Sequence, residues 1–135
     1  MVKKTITYVD FNGNKRTEDF YFNLTKAECL EMELSVNGGL STLMQRLIDS
    51  DDIANAIKIV KDILFRSYGE KSLDGKYFNK SQELSEKFSH TRAYSLLYTE
   101  LVTDPKAAAE FMNAVVDTDD GNAPVAASPA PAATN

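Results

Sequence analysis

One stretch constrains the fold of this chain more than any other, the segment from Asp51 to Tyr68. Its apolar residues recur at steps of three and four, which places them on one face of an α-helix. They are Ile53, Ala56, Ile57, Val60, Ile63, Leu64 and Tyr68. Ser50 is suited to cap the start of this helix and Gly69 to stop its end. A helix of this length spans about 27 Å, and its apolar face predicts the centre of a small core.

Residues 4–23 have the pattern of a β-hairpin. Ile6 and Tyr8 fall on one face of an extended chain, while Thr5 and Thr7 fall on the other. Between the two arms stands the pair at positions 12–13, Asn-Gly, which accepts the positive φ angles of a type I′ turn. Because an isolated hairpin is marginally stable in water, we expect its apolar face to pack on the helices.

Further helices are marked by their start signals. Thr25 and Glu28 form a capping box that opens a helix to about Leu34, and Asp104 before Pro105 opens the last one, to about Val116. Others are predicted over 40–48, over 82–89 after Ser81, and over 92–102 after Thr91. Residues 69–80 are predicted to be a connector with a turn at Asp74-Gly75.

The fold class is therefore α+β, an N-terminal hairpin followed by a mostly α-helical domain of about five short helices. We expect a single globular domain over residues 1–117, with the hairpin at 4–23 and the helices within 25–116. Beyond it the composition changes to alanine and proline, and no large apolar residue follows Val125. Residues 118–135 are therefore predicted to be a disordered tail.

Residue chemistry offers little support for an enzyme. The chain has one histidine, His90, and one cysteine, Cys29, which is too few for a metal site built from these residues. No glycine-rich phosphate loop follows a strand. A net charge of −5 argues against nucleic-acid binding. The alternating N-terminus predicts neither a signal peptide nor a membrane span. We expect no catalytic, cofactor or metal site.

Binding to another protein is the class of function that remains. Apolar and aromatic side chains from two of the predicted helices are candidates for a groove that holds a partner helix, although residues of this kind fill the core more often than they bind a partner. These candidate partner-binding residues are Leu43, Met44, Leu47, Tyr94, Leu97 and Tyr98.

Short matches spread along the chain resemble one known family. They comprise Phe65–Gly69, Asp74–Lys76, Lys80-Ser81, Thr91, Ala93–Ser95, Glu100-Leu101, Thr103-Asp104 and Ala107–Phe111, together with the hairpin and Leu24-Thr25-x-x-Glu28. In this order they are similar to the small tail assembly chaperones of long-tailed, siphovirus-type phages and prophages of Gram-positive hosts. The similarity covers roughly residues 4–116.

The resemblance implies a non-enzymatic protein of the host cytoplasm that is absent from the mature virion. Such a chaperone binds the tape measure protein, keeps it soluble and helps to recruit tail tube subunits. A longer product of ribosomal frameshifting contacts the tube protein in many members. The Ala/Pro-rich tail departs from the family pattern and is suited to be a linker.

Two other functions stay open: a structural tail completion or connector protein of the virion, and an acidic regulatory or inhibitor protein. Self-association is not decided by the sequence.

Overall fold

The computed structural model describes residues 1–35, Gln45 and residues 53–116. Within these ranges it contains four strands and five helices. The strands are β1 (Val2–Val9), β2 (Lys15–Phe22), β3 (Tyr68–Lys71) and β4 (Phe78–Asn79). The helices are α1 (Lys26–Ser35), α2 (Ile53–Ser67), α3 (Gln82–Ser89), α4 (Arg92–Thr103) and α5 (Pro105–Val115). The predicted α+β class, a strand pair followed by helices, is confirmed.

The N-terminal hairpin forms where the alternation predicted it. β1 and β2 pair in antiparallel register from Val2 opposite Phe22 to Val9 opposite Lys15. The turn is centred one residue earlier than predicted. The Gly13 N–H donates to the Asp10 carbonyl, and this hydrogen bond closes a turn around residues 11–12. Gly13 follows them at a φ of 84°. The glycine is required there because other residues rarely adopt such a φ.

A second hairpin lies within residues 69–80, the segment that was predicted to be a connector. β3 pairs with β2 through Tyr21 opposite Gly69 and Phe22 opposite Tyr68, and β4 pairs with β3. The sheet therefore has the order β1-β2-β3-β4. The predicted turn is confirmed: Gly75 has a φ of 77°, and its N–H donates to the Ser72 carbonyl.

Four of the predicted helix starts, at Thr25, Ser81, Thr91 and Asp104, are confirmed by their hydrogen bonds. The Thr25 and Glu28 side chains exchange bonds with each other's backbone N–H at 3.2 and 2.8 Å. The Ser81 hydroxyl accepts from the Leu84 N–H, and the Thr91 hydroxyl accepts from the Tyr94 N–H. Asp104 accepts from Lys106 and Ala107. These side chains satisfy N–H groups that a helix leaves without partners in its first turn.

The end of α2 differs from the prediction. The helix stops at Ser67, and Tyr68 already belongs to β3. Side chains from later in the chain donate hydrogen bonds to its last carbonyls. The Ser85 hydroxyl donates to the Phe65 carbonyl at 2.8 Å, and the Lys80 ammonium donates to the Arg66 carbonyl at 2.9 Å. Gly69 is therefore not the helix stop. It is buried within β3, where an added Cβ would lie 2.6 Å from the Phe78 ring.

The core lies between the sheet and the helices, and most of the α2 stripe points into it. One residue of the predicted stripe is placed wrongly. Ile57 is 37% exposed, whereas Ile59, outside the predicted stripe, is 6% exposed. Leu30 of α1 is also exposed, at 60%. The buried apolar residues are Phe22, Leu24, Ile59, Val60, Ile63, Leu64, Tyr68, Phe88, Ala93, Leu97, Leu101, Ala108, Phe111, Met112 and Val115.

Several predictions fall outside the described residues. These are the helix over 40–48, apart from Gln45, the Ser50 cap and the tail over 118–135.

Substitution of Gly69 tests the close approach of β3 and β4. A Gly69→Ala variant is expected to lose about 2 kcal/mol of unfolding free energy, because the new methyl group overlaps the Phe78 ring and the Asn79 carbonyl oxygen. Urea denaturation measures the loss. In a Phe78→Ala background the same substitution should have a smaller effect, since the ring is gone. An equal loss in both backgrounds would contradict the steric explanation.

Lys80 joins three parts of the fold through its ammonium group. Besides Arg66, it donates to the Asn23 carbonyl at 2.6 Å and lies 2.6 Å from the Glu28 carboxylate. A Lys80→Met variant is expected to lose about 2 kcal/mol of unfolding free energy, because charged hydrogen bonds are the stronger ones. Lys76→Met is the matched control, since Lys76 is exposed and its ammonium lies over the Tyr77 ring. Similar losses in both variants would show that the contacts of the Lys80 ammonium do not stabilise the fold.

Candidate partner-binding surface

Three aromatic rings lie along the contact between α2 and α4. Phe65 of α2 meets Tyr94 of α4 edge to face, with ring centroids 6.3 Å apart. Tyr98, one turn further along α4, stacks on Tyr94 at 5.5 Å. All three side chains are half-buried, so each ring keeps part of its surface open to solvent. We call Phe65, Tyr94 and Tyr98 the aromatic face.

The packing of α4 positions this face. Ala93, Leu97 and Leu101 are buried and fix the rotation of the helix, which leaves Tyr94 and Tyr98 at its border. Tyr94 also meets the buried Phe88 ring edge to face at 5.4 Å. Burial raises the pKa of the Tyr94 phenol to about 12, so this ring stays neutral at physiological pH.

One cation borders the aromatic face. The Lys61 ammonium lies 5.8 Å from the centroid of the Phe65 ring, one turn before it on α2. The side chain is exposed, and a lysine over an aromatic ring keeps its charge available to a partner. The face therefore combines neutral aromatic surface with a positive border.

The predicted site residues fall into three groups. Tyr94 and Tyr98 lie together on the aromatic face, as their spacing suggested. Leu97 is only 2% exposed and belongs to the core that supports them. Leu43, Met44 and Leu47 lie outside the described residues, and their role in binding stays a prediction.

Phe65 was not among the predicted site residues, although it completes the aromatic face. It lies beside the buried pair Ile63 and Leu64 on α2, just off the apolar stripe. A large apolar residue next to such a stripe is the signal that could have identified it, because it falls at the border between core and solvent.

Two exposed apolar patches were not predicted from the sequence. Val9, Phe11 and Leu96 are at least half exposed, and Val9 and Leu96 line a groove between β1 and α4. Leu73 and Tyr77 are exposed at the tip of the second hairpin. Strand alternation places Val9 and Phe11 on the face of Thr5 and Thr7, whereas Leu73, Tyr77 and Leu96 belong to no predicted apolar stripe.

Two kinds of site are absent from the part of the chain that the structure describes. No three His, Cys, Asp or Glu side chains gather there in a cluster that could hold a metal ion. No described helix is long and apolar enough to cross a membrane.

Aromatic side chains are enriched in the surfaces through which proteins bind one another, and the half-exposed rings between α2 and α4 are of this kind. A sequence model of phage tail assembly chaperones matches residues 1–122, which is most of the 135-residue chain. The chain therefore belongs to the phage tail assembly chaperone family. No curated protein and no solved structure matches it.

Proposed function

We propose that this chaperone binds the tape measure protein during tail assembly and keeps it soluble until tail tube subunits surround it. Membership of the tail assembly chaperone family supports the general role. The half-exposed aromatic face supports a helical partner, because a tape measure protein is long and amphipathic and its free helices would aggregate.

The aromatic face is the proposed binding surface. Tyr94 and Tyr98 supply large ring surfaces at little cost in side-chain entropy, and the buried Leu97 holds them in place. Lys61 at the border favours a partner helix that carries a carboxylate beside its apolar residues. Leu43, Met44 and Leu47 complete the proposed groove.

The remaining parts of the proposal concern the setting. The chaperone acts in the cytoplasm of a Gram-positive host infected by a siphovirus-type phage or carrying a prophage, and it is absent from the virion. It recruits the tail tube protein, through a longer frameshifted product that extends the Ala/Pro-rich residues 118–135. The net charge of −5 helps the complex to stay in solution.

Co-expression with the tape measure protein of the same genome tests the proposal. The tape measure protein should move to the soluble fraction and co-purify with this chain. If it stays insoluble with this chain and also with the longer product, tape measure binding is excluded. Solubilisation by the longer product alone would assign binding to the extension. Mass spectrometry of purified virions should not find the chain.

A further inference from the structure

The outer edge of β1 offers free backbone groups. β1 is the first strand of the sheet, and only β2 pairs with it among the described residues. The Asp10 N–H donates to the Asn14 carbonyl of the facing arm, so even-numbered residues of β1 turn their backbone groups toward β2. Lys3, Thr5, Thr7 and Val9 therefore turn theirs outward. Their outward groups make no backbone hydrogen bond to any described residue.

A groove lies beside this edge, between β1 and α4. Its volume is about 210 Å³, and it is lined by Tyr8, Val9, Arg92, Ser95 and Leu96. We call it the β1–α4 groove. Tyr8 and Val9 are consecutive in a strand, so their side chains point to opposite faces of the sheet. A cavity that touches both lies beside the strand, where an added strand would run.

The groove has apolar walls and one available cation. Val9 is 50% exposed and Leu96 52% exposed, so large apolar surfaces face solvent on both sides. The Arg92 guanidinium lies 4.6 Å from the centroid of the Phe11 ring. No carboxylate of the described residues lies within 4.0 Å of it. An arginine in this position attracts a carboxylate from outside.

Two acidic side chains close to Tyr8 and Val9, those of Asp10 and Glu18, are already paired. Arg16 Nε lies 2.6 Å from Asp10 Oδ2, and Arg16 Nη1 lies 3.3 Å from Glu18 Oε2. The Tyr8 hydroxyl also donates to Glu18. The Arg16 guanidinium lowers the pKa of Asp10, so this carboxylate stays ionised and paired. Asp10 and Glu18 therefore bind Arg16 and do not pair with Arg92.

We propose that the β1–α4 groove binds an extended segment of a partner protein, which adds to the outer edge of β1 as a fifth strand. The backbone of the segment pairs with Thr5, Thr7 and Val9. An apolar side chain of the segment enters the groove against Leu96, and an acidic side chain pairs with Arg92. This goes beyond the proposed function, because the surface is separate from the aromatic face and its ligand is a strand rather than a helix.

The charge pattern of β1 favours this part of its edge. Free edges invite unwanted pairing, and proteins block them with charged residues, lysine above all. Lys3 and Lys4 stand in the first half of β1 and Asp10 stands just after its end. The five residues between them, 5–9, carry no charge. The unblocked part of the edge is therefore the part beside the groove.

A display library of random nine-residue peptides, selected against the full-length chain, tests the proposal. The most enriched peptide is synthesised and its Kd is measured by calorimetry. We expect alternating apolar residues and at least one carboxylate in it. Arg92→Gln and Leu96→Asp should each weaken binding about 10-fold. Thr99→Asp, which adds a charge at an exposed position of the same helix, should leave the Kd unchanged.

Amide hydrogen exchange identifies the binding mode. The bound peptide should slow exchange at Thr5, Thr7 and Val9, and should leave Ile6 and Tyr8 unchanged because their N–H groups already bond to β2. The proposal is overturned if no peptide is enriched, if Arg92→Gln and Leu96→Asp bind as well as the parent chain, or if protection does not alternate. If protection of β1 without peptide increases with protein concentration, the edge pairs with a second copy of the chain, and the proposal is overturned as well.

Discussion

A Phe22→Ala variant is expected to lose about 4 kcal/mol of unfolding free energy. Phe22 has no exposed surface, and three rings surround it: Tyr68, Phe88 and Phe111, with centroids 5.3–5.7 Å from its own. Alanine removes the apolar area and leaves a cavity that these rings cannot fill without losing their own contacts. Domains of this size have only about 5–15 kcal/mol in total, so the variant should lose a large part of its stability.

Urea denaturation followed by circular dichroism measures this loss, and Phe11→Ala is the matched control. Phe11 lies on the same hairpin but is 71% exposed, so its removal should change the unfolding free energy by less than about 0.5 kcal/mol. Phe22→Leu, which keeps most of the volume, should lose about 1.5 kcal/mol at most. Equal losses for Phe22→Ala and Phe11→Ala would mean that the aromatic cluster is not the centre of the core.

Local signals were sufficient to predict much of this fold. Each start signal depends on residues within four positions of one another, such as Thr25 with Glu28 or Asp104 with Pro105. The buried residues of α5 also have the three- and four-residue spacing of one helix face: Ala108, Phe111, Met112 and Val115. Such features are decided by the neighbouring sequence, so they are accessible without knowledge of the tertiary structure.

Features that depend on distant residues were not predictable. Tyr68 lies four residues after Leu64, so the apolar stripe assigned it to the helix, whereas pairing with Phe22 draws it into a strand. The end of α2 is completed by Lys80 and Ser85, which lie 14 and 20 residues away from the carbonyls that they bind. Tertiary contacts overrode the local pattern at this point.

The candidate surface was predictable in part for the same reason. Tyr94 and Tyr98 have helical spacing, and the sequence placed them together. It could not separate them from Leu97, because the border between core and solvent depends on how α4 is rotated against α2. The β1–α4 groove unites residues more than 80 positions apart, which no periodicity reports.

A Tyr98→Asp variant is expected to lose most of the ability to keep the tape measure protein soluble. Loss of a ring at the centre of an interface, with a charge placed against an apolar helix, lowers binding by about 2 kcal/mol, a decrease in affinity of about 30-fold. The variant should still fold, because Tyr98 is only half-buried and its ring partner Tyr94 retains the Phe65 and Phe88 contacts. Co-expression measures the soluble fraction of the tape measure protein, and urea denaturation checks the fold.

Thr99→Asp is the control for Tyr98→Asp, since it adds the same charge at the next residue of α4, an exposed position. It should solubilise the tape measure protein as the parent chain does. Leu97→Asp does not serve this purpose, because a charge at a residue with 2% exposure should unfold the domain. Leu96→Asp separates the two proposed surfaces, because it should weaken peptide binding in the β1–α4 groove about 10-fold and leave the tape measure protein soluble. If Tyr98→Asp folds and solubilises normally, the aromatic face is not the tape measure surface, and the segment with Leu43, Met44 and Leu47 becomes the one to substitute next.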